Sequence, residues 1–169
     1  MRILLIFNPR SGTGRAALAA KDIAARLHGH TIKSVEIPPD SVSSSAWLVP
    51  HLADADACVV IGGDGTLHGL LGALIHTEIP VFHAALGTEN LFSREHGMHR
   101  RSIRAIAELL SQSLAAKKTR DIDVVSCSGP WAAPKLFAIM LSTGPDAAVV
   151  RRVAAARTGA ISHASYIAP

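Results

Sequence analysis

The sequence predicts an α/β fold, with a parallel sheet covered by helices on both faces, and three observations carry that reading. Short apolar runs alternate in order with amphipathic stretches, the pattern of strands joined by helical crossovers. Three of those runs lead directly into polar, glycine-bearing loops: 8–14 after Phe7, 62–66 after Ile61, and 87–90 after Leu86. Beyond Lys117-Lys118 the alternation stops, and short strand-like runs separated by turn residues take over.

The elements follow in order. A strand over 2–7 leads to a helix over 14–28, then a strand over 31–37 that ends at Pro38-Pro39-Asp40-Ser41. A shorter helix is predicted between Ser43 and Leu52. The apolar run 57–61 is a buried strand, and the helix over 65–76 repeats Leu67, Leu70, Leu71 and Leu74 at helical spacing. A strand over 80–86 and a short helix near 89–96 come next. The helix over 101–116 then gathers Ile103, Ile106, Ala107, Leu110 and Leu114 on one face. Further on, 123–127 and 135–141 read as an antiparallel pair across Ser128-Gly129-Pro130, 151–156 as helical, and 161–167 as a further strand.

The loop Gly62-Gly63-Asp64-Gly65-Thr66 is the most informative segment. Glycines let backbone N–H groups approach a ligand closely, and a helix N-terminus behind such a loop favours anions. An Asp among phosphate-binding amides is repelled by phosphate unless it meets a metal, takes a proton from a nucleophile, or caps a helix. The structural alternative is a tight strand-to-helix turn with Asp64 or Thr66 as N-cap. Three such loops after parallel strands would lie together at the C-terminal edge of the sheet, where open α/β sheets bind ligands.

Asn8-Pro9-Arg10-Ser11-Gly12, then Gly62-Gly63-Asp64-Gly65-Thr66, then Gly87-Thr88-Glu89-Asn90 resemble, in order and spacing, the diacylglycerol kinase catalytic domain family. That family includes sphingosine kinases and bacterial lipid kinases, with NAD kinases as distant relatives. Arg120-Asp121-Ile122-Asp123 is similar to the opening of its second domain, and Gly144-Pro145-Asp146-Ala147 to its Gly-x-Asp-Ala segment. The resemblance implies a Rossmann-like nucleotide domain over 1–118 and, over 119–169, the beginning of an incomplete β-sandwich domain. Members are nearly twice as long, so the chain reads as C-terminally truncated, and catalysis by it alone is not expected.

The implied chemistry is transfer of the γ-phosphoryl group of ATP, with Mg²⁺, to a lipid hydroxyl of diacylglycerol or sphingoid type. Contacts to ATP are expected from Asn8, Arg10, Ser11, Gly12, Gly62, Gly63, Gly65, Thr66, Gly87, Thr88, Asn90 and Arg157. Asp64 is expected as the base that accepts the substrate hydroxyl's proton, or as a contact to Mg²⁺ through water; the metal's own ligands are left open. Asp146 falls at an acidic position near the lipid headgroup, with a turn or N-cap role as its alternative. Two other functions stay open: an NAD kinase-like phosphotransferase, and a non-catalytic nucleotide-binding module.

The sequence departs from the family pattern where His68-Gly69 follows the second loop without the usual Glu, and where Gly72 stands for an Asn. In the third loop, Ala85 replaces a proline and Glu89 a glycine. Glu89 adds negative charge near the phosphates, where pairing with Arg10 or binding of ribose hydroxyls would accommodate it.

Composition excludes several classes. No apolar run approaches the roughly 20 residues of a membrane helix, and the N-terminal run stops at Asn8-Pro9, too short for a signal peptide's core. A cytoplasmic protein that visits a membrane surface is expected. Cys58 and Cys127 give no disulfide framework, and the nine histidines are scattered without metal-ligand spacing. The net charge is +4, with Arg100, Arg101, Arg104, Lys117, Lys118, Arg120, Arg151, Arg152 and Arg157 in the C-terminal part. That charge suits an anionic membrane surface, ATP or a solvated helix face. Nucleic acid is not expected as a partner, because aromatics are only 4% of the chain and stacking platforms are scarce. An open sandwich edge could also pair with a second copy, giving a homodimer.

Overall fold

A computed structural model describes residues 1–11, 14–39, 41, 45–130 and 133–155, without the side chains of residues 153 and 154. Its centre is a four-stranded parallel sheet of β1 (Arg2–Phe7), β2 (Thr31–Glu36), β3 (Ala57–Gly62) and β4 (Val81–Ala85), in the order β2-β1-β3-β4. Every pairing is parallel, with Ile3 opposite Ile32 and Ala57, and Cys58 opposite Val81. The expected α/β class is borne out.

Successive side chains of a strand point to opposite faces, and the core divides accordingly. Ile3, Leu5, Val59, Ile61, Phe82 and Ala84 pack with α1 (Ala16–Arg26) and α5 (Ile103–Ala115). Leu4, Ile6, Cys58 and Val60 pack on the other face with α2 (Val49–Leu52) and α3 (Asp64–Leu74). β3 is buried at every position, because it is flanked by strands on both edges and helices on both faces. That explains why its run is continuously apolar rather than alternating. α5 begins at Ser102, whose hydroxyl accepts the N–H of Ala105, a side-chain N-cap.

Several boundaries differ from the expected ones. α1 starts at Ala16 rather than at residue 14, since Gly14 has a φ of +76° and stands outside the helix. The helix expected between Ser43 and Leu52 is a 3-10 turn over Ala46–Leu48 running into α2, while residues 42–44 lie outside the described set. The second half of the chain opens, as expected, with an antiparallel pair, β5 (Val125–Cys127) and β6 (Lys135–Phe137). β6 stops at Phe137 instead of running to residue 141, because its partner offers only three residues to pair with. Ala138, just past it, packs against the cluster formed with α3. α6 (Pro145–Ala155) starts six residues before the helical stretch expected at 151–156. The strand expected over 161–167 lies outside the described residues.

Candidate functional site

The strand order reverses direction between β1 and β3: the chain leaves β1 toward β2 on one side, and β3 leads to β4 on the other. α1 and α3, which follow these two strands, cover opposite faces of the sheet. The loops after β1 and β3 therefore lie at the switch point of the carboxyl edge, the general ligand position of open α/β sheets. The loop after β4 lies beside them.

The first two loops are joined by side chains. Ser11 Oγ and Thr66 Oγ1 lie 2.9 Å apart, and both residues are buried. Asn8 Nδ2 donates to Thr66 Oγ1 at 3.3 Å, while Asn8 Oδ1 accepts the Arg10 N–H at 3.0 Å. Asn8 N–H in turn donates to Ile61 O at 3.2 Å, which continues the β1–β3 ladder into the loop. Asn8, Ser11 and Thr66 thus build the loops and hold the first to the second. Arg10 is exposed, and its guanidinium donates to Pro39 O at 3.5 Å.

The second and third loops meet backbone to backbone. A Cβ on Gly87 would lie 2.7 Å from Gly63 Cα, and one on Gly62 would lie 2.5 Å from Thr66 Oγ1. Asn90, itself at a φ of +54°, accepts the Gly87 N–H through Oδ1 at 2.8 Å and donates through Nδ2 to Gly87 O at 2.7 Å. Gly63, not Asp64 or Thr66, is the N-cap of α3, and Asp64 is the first residue of the helix. The Asp64 carboxylate bridges to the third loop: Oδ2 accepts Leu91 N–H at 2.9 Å and Oδ1 accepts Phe92 N–H at 3.1 Å. It caps the short helix α4 (Leu91–Glu95), 27 residues downstream, instead of its own.

Behind the loops sits a residue that the sequence reading passed over. His83 of β4 is fully buried, and its Nε2 lies 3.1 Å from Gly62 O. Burial holds its pKa below the usual imidazole range, against the opposing pull of the Gly62 carbonyl and the Asp64 charge. Its ring meets Phe92 edge-on at 5.8 Å between centroids, and Phe92 in turn meets His96 at 4.4 Å. His96 also contacts Arg120 through Nδ1. Burial and then the Arg120 charge hold the His96 pKa down as well. The available signal was a lone polar residue inside the apolar run Val81-Phe82-His83-Ala84-Ala85.

Thr88 is exposed on the third loop. Asp146 is exposed in the first turn of α6 and, among the described residues, has no hydrogen bond or ion pair to the three loops. Gly12 and Arg157 lie outside the described residues. No group of three or more His, Cys, Asp or Glu that could hold a metal ion occurs among the described residues. No described helix is long and apolar enough to cross a membrane.

A family model of the diacylglycerol kinase catalytic domain matches residues 2–127, which takes in all three loops. The chain belongs to that family. Two curated relatives named diacylglycerol kinase, from Mycobacterium tuberculosis strains CDC 1551 and H37Rv, are each 31% identical over 154 residues. Those residues are 88% of this chain and 47% of each relative, so the chain spans about half the length of the curated relatives it matches. A crystal structure of a diacylglycerol kinase from Bacillus anthracis str. Sterne has a TM-score of 0.52 and 27% identity. That match covers 66% of this chain and 43% of the other.

Proposed function

We propose that the chain is the nucleotide-binding part of a lipid kinase that transfers the γ-phosphoryl group of ATP to a lipid hydroxyl, diacylglycerol being the first candidate. The observation that carries this reading is the joining of three loops at the carboxyl edge of the sheet. Ser11 and Thr66 fix the first loop to the second, and the Gly63–Gly87 approach fixes the second to the third. Phosphoryl transfer asks mostly for positioning and electrostatic stabilisation, and pre-fixed backbone donors supply both without reorganising.

In this reading the amides of Gly63 and Gly65 and the N-terminus of α3 face the phosphates, and Arg10 and Thr88 flank them. Asp64 is held rigidly between two loops by its two amide donors, and its oxygens keep lone pairs with which to take a proton from an acceptor hydroxyl. Mg²⁺ is usually held by one or two carboxylates together with substrate phosphates, so Asp64 fits as a single contact from this chain. When bound, the ion would neutralise charge on the phosphates. The lipid would come from a membrane surface, toward which the exposed Arg94, Arg100, Arg101 and Arg120 offer positive charge.

The capping of α4 by Asp64 favours a second reading, in which this carboxylate serves architecture and the chain only binds nucleotide. One assay separates the two, run with these residues grafted in place of the matching half of a full-length diacylglycerol kinase relative: transfer of radiolabel from ATP to diacylglycerol in mixed micelles, with NAD as a parallel acceptor. Label in the lipid that Asp64→Asn abolishes, while ATP binding persists, is the expected result. Label in NAD alone contradicts the lipid reading, and ATP binding with no label in either acceptor favours the binding module.

A further inference from the structure

We propose that His83 is a positioning residue for the peptide between Gly62 and Gly63, and through it for the phosphates of a bound nucleotide. The proposal rests on the ATP reading above and adds to it a buried residue outside the three loops.

Gly62 O lies at the end of β3 and receives two donors. Leu86 N–H continues the β3–β4 ladder at 2.8 Å, and His83 Nε2 takes the second position at 3.1 Å. A carbonyl only accepts, so Nε2 carries the proton and the ring is the Nε2–H tautomer. Both donors come from β4 and its continuation, so the Gly62 carbonyl is turned toward β4. The Gly62–Gly63 peptide bond is trans, and in a trans peptide the N–H points opposite to the C=O. Gly63 N–H is therefore turned toward β1 and the loop that follows it, the side on which Asn8 and Ser11 stand.

Glycine has no side chain to hold this peptide plane, and Gly62 and Gly63 are adjacent. With the ladder bond from Leu86 as the other hydrogen bond to Gly62 O, a second anchor narrows the tilt of the unit at the place where a fixed donor matters most. The imidazole supplies that anchor from a fully buried position. Its own fixation is visible: Phe92 packs edge-on against it, and Phe92 N–H is held by Asp64. His83 Nδ1 is buried and has no hydrogen-bond partner among the described residues. Leaving a polar atom so placed is unfavourable, and an apolar residue would fill the core more cheaply, so the position is occupied for what Nε2 does.

The experiment is calorimetric titration of Mg²⁺-ATP into the wild-type chain, His83→Met and His83→Gln, with folding checked by circular dichroism. Met fills the volume without a donor, and Gln restores an N–H at a similar reach. The expected result is binding weakened about three- to tenfold in His83→Met, the scale of one neutral hydrogen bond, and returned to near the wild-type value in His83→Gln. Equal binding by wild type and folded His83→Met overturns the role, even if the variant melts earlier. A folded wild-type chain that binds no ATP removes the nucleotide reading itself, and the role with it. Long-range ¹H–¹⁵N NMR on the wild-type chain provides a test that needs no variant: the role requires the Nε2–H tautomer, and an Nδ1–H signal for His83 overturns it.

Discussion

One added methyl at Gly87 should force two of the three loops apart. A Cβ there would lie 2.7 Å from Gly63 Cα and 2.9 Å from Asn90 Oδ1. Non-bonded carbons sit best at about 3.5–4.0 Å, so the two backbones must separate by nearly 1 Å. Both are anchored, one as the N-cap of α3 and the other by the two Asn90 bonds. Overpacking of this kind costs about 1–3 kcal/mol, and losing the Gly87 N–H to Asn90 Oδ1 bond adds about 1 kcal/mol. Gly87→Ala should therefore destabilise by about 2–4 kcal/mol, a fall in Tm on the order of 10 °C for a chain of this size. Gly69→Ala is the control. Gly69 is exposed inside α3, and a Cβ there meets nothing within 4 Å, so the change should stabilise by about 1 kcal/mol. Thermal and urea melts followed by circular dichroism read both. If Gly87→Ala melts within about 2 °C of the wild type, the close approach of the loops is wrong.

Three further outcomes are expected. Ser11→Ala and Thr66→Val should each destabilise, and their double-mutant cycle should show a coupling of about 0.5–1.5 kcal/mol; strictly additive effects would contradict the hydroxyl pair. The depressed pKa of buried His83 means that the unfolded chain binds its proton more readily. Stability should thus be full above the unfolded value of about 6.5 and should fall as pH drops through it toward the folded value. His83→Met should flatten that slope without abolishing it, since His96 is shifted the same way; an unchanged slope in urea melts across this range would contradict the assignment. Burial pushes the Cys58 thiol up to about 12, so a thiol reagent should modify Cys127 readily and Cys58 only on unfolding, which mass spectrometry of the labelled peptides checks.

The sheet and its loops were legible because their signals are local. The run 57–61 bounded by Gly62-Gly63 fixes a strand end and a turn within a few residues, and the leucines of α3 mark its buried face. The start of α6 was missed although Gly144-Pro145-Asp146 carries start signals, a proline at the first helical position and an acid in the first turn. There the resemblance to a Gly-x-Asp-Ala segment drew attention to a substrate role instead. What could not be read was pairing at a distance. Ser11 and Thr66 are 55 residues apart, and Asp64 reaches Leu91 and Phe92 across 27 and 28 residues. Hydroxyls and carboxylates carry no periodicity, so only the placement of β1, β3 and β4 side by side brings these groups together. His83 was hidden for a related reason: a polar residue in an apolar strand shows its partner only once the strand register sets Val60 opposite it and Gly62 within reach.

The measurement that tests the central claim most directly is a titration of the ¹⁵N-labelled chain with Mg²⁺-ATP, followed by amide NMR shifts. The account predicts saturable changes concentrated at residues 8–11, 62–66 and 87–90, with Gly63 among the largest. A folded chain whose amides do not move, or move only away from these three loops, would contradict it.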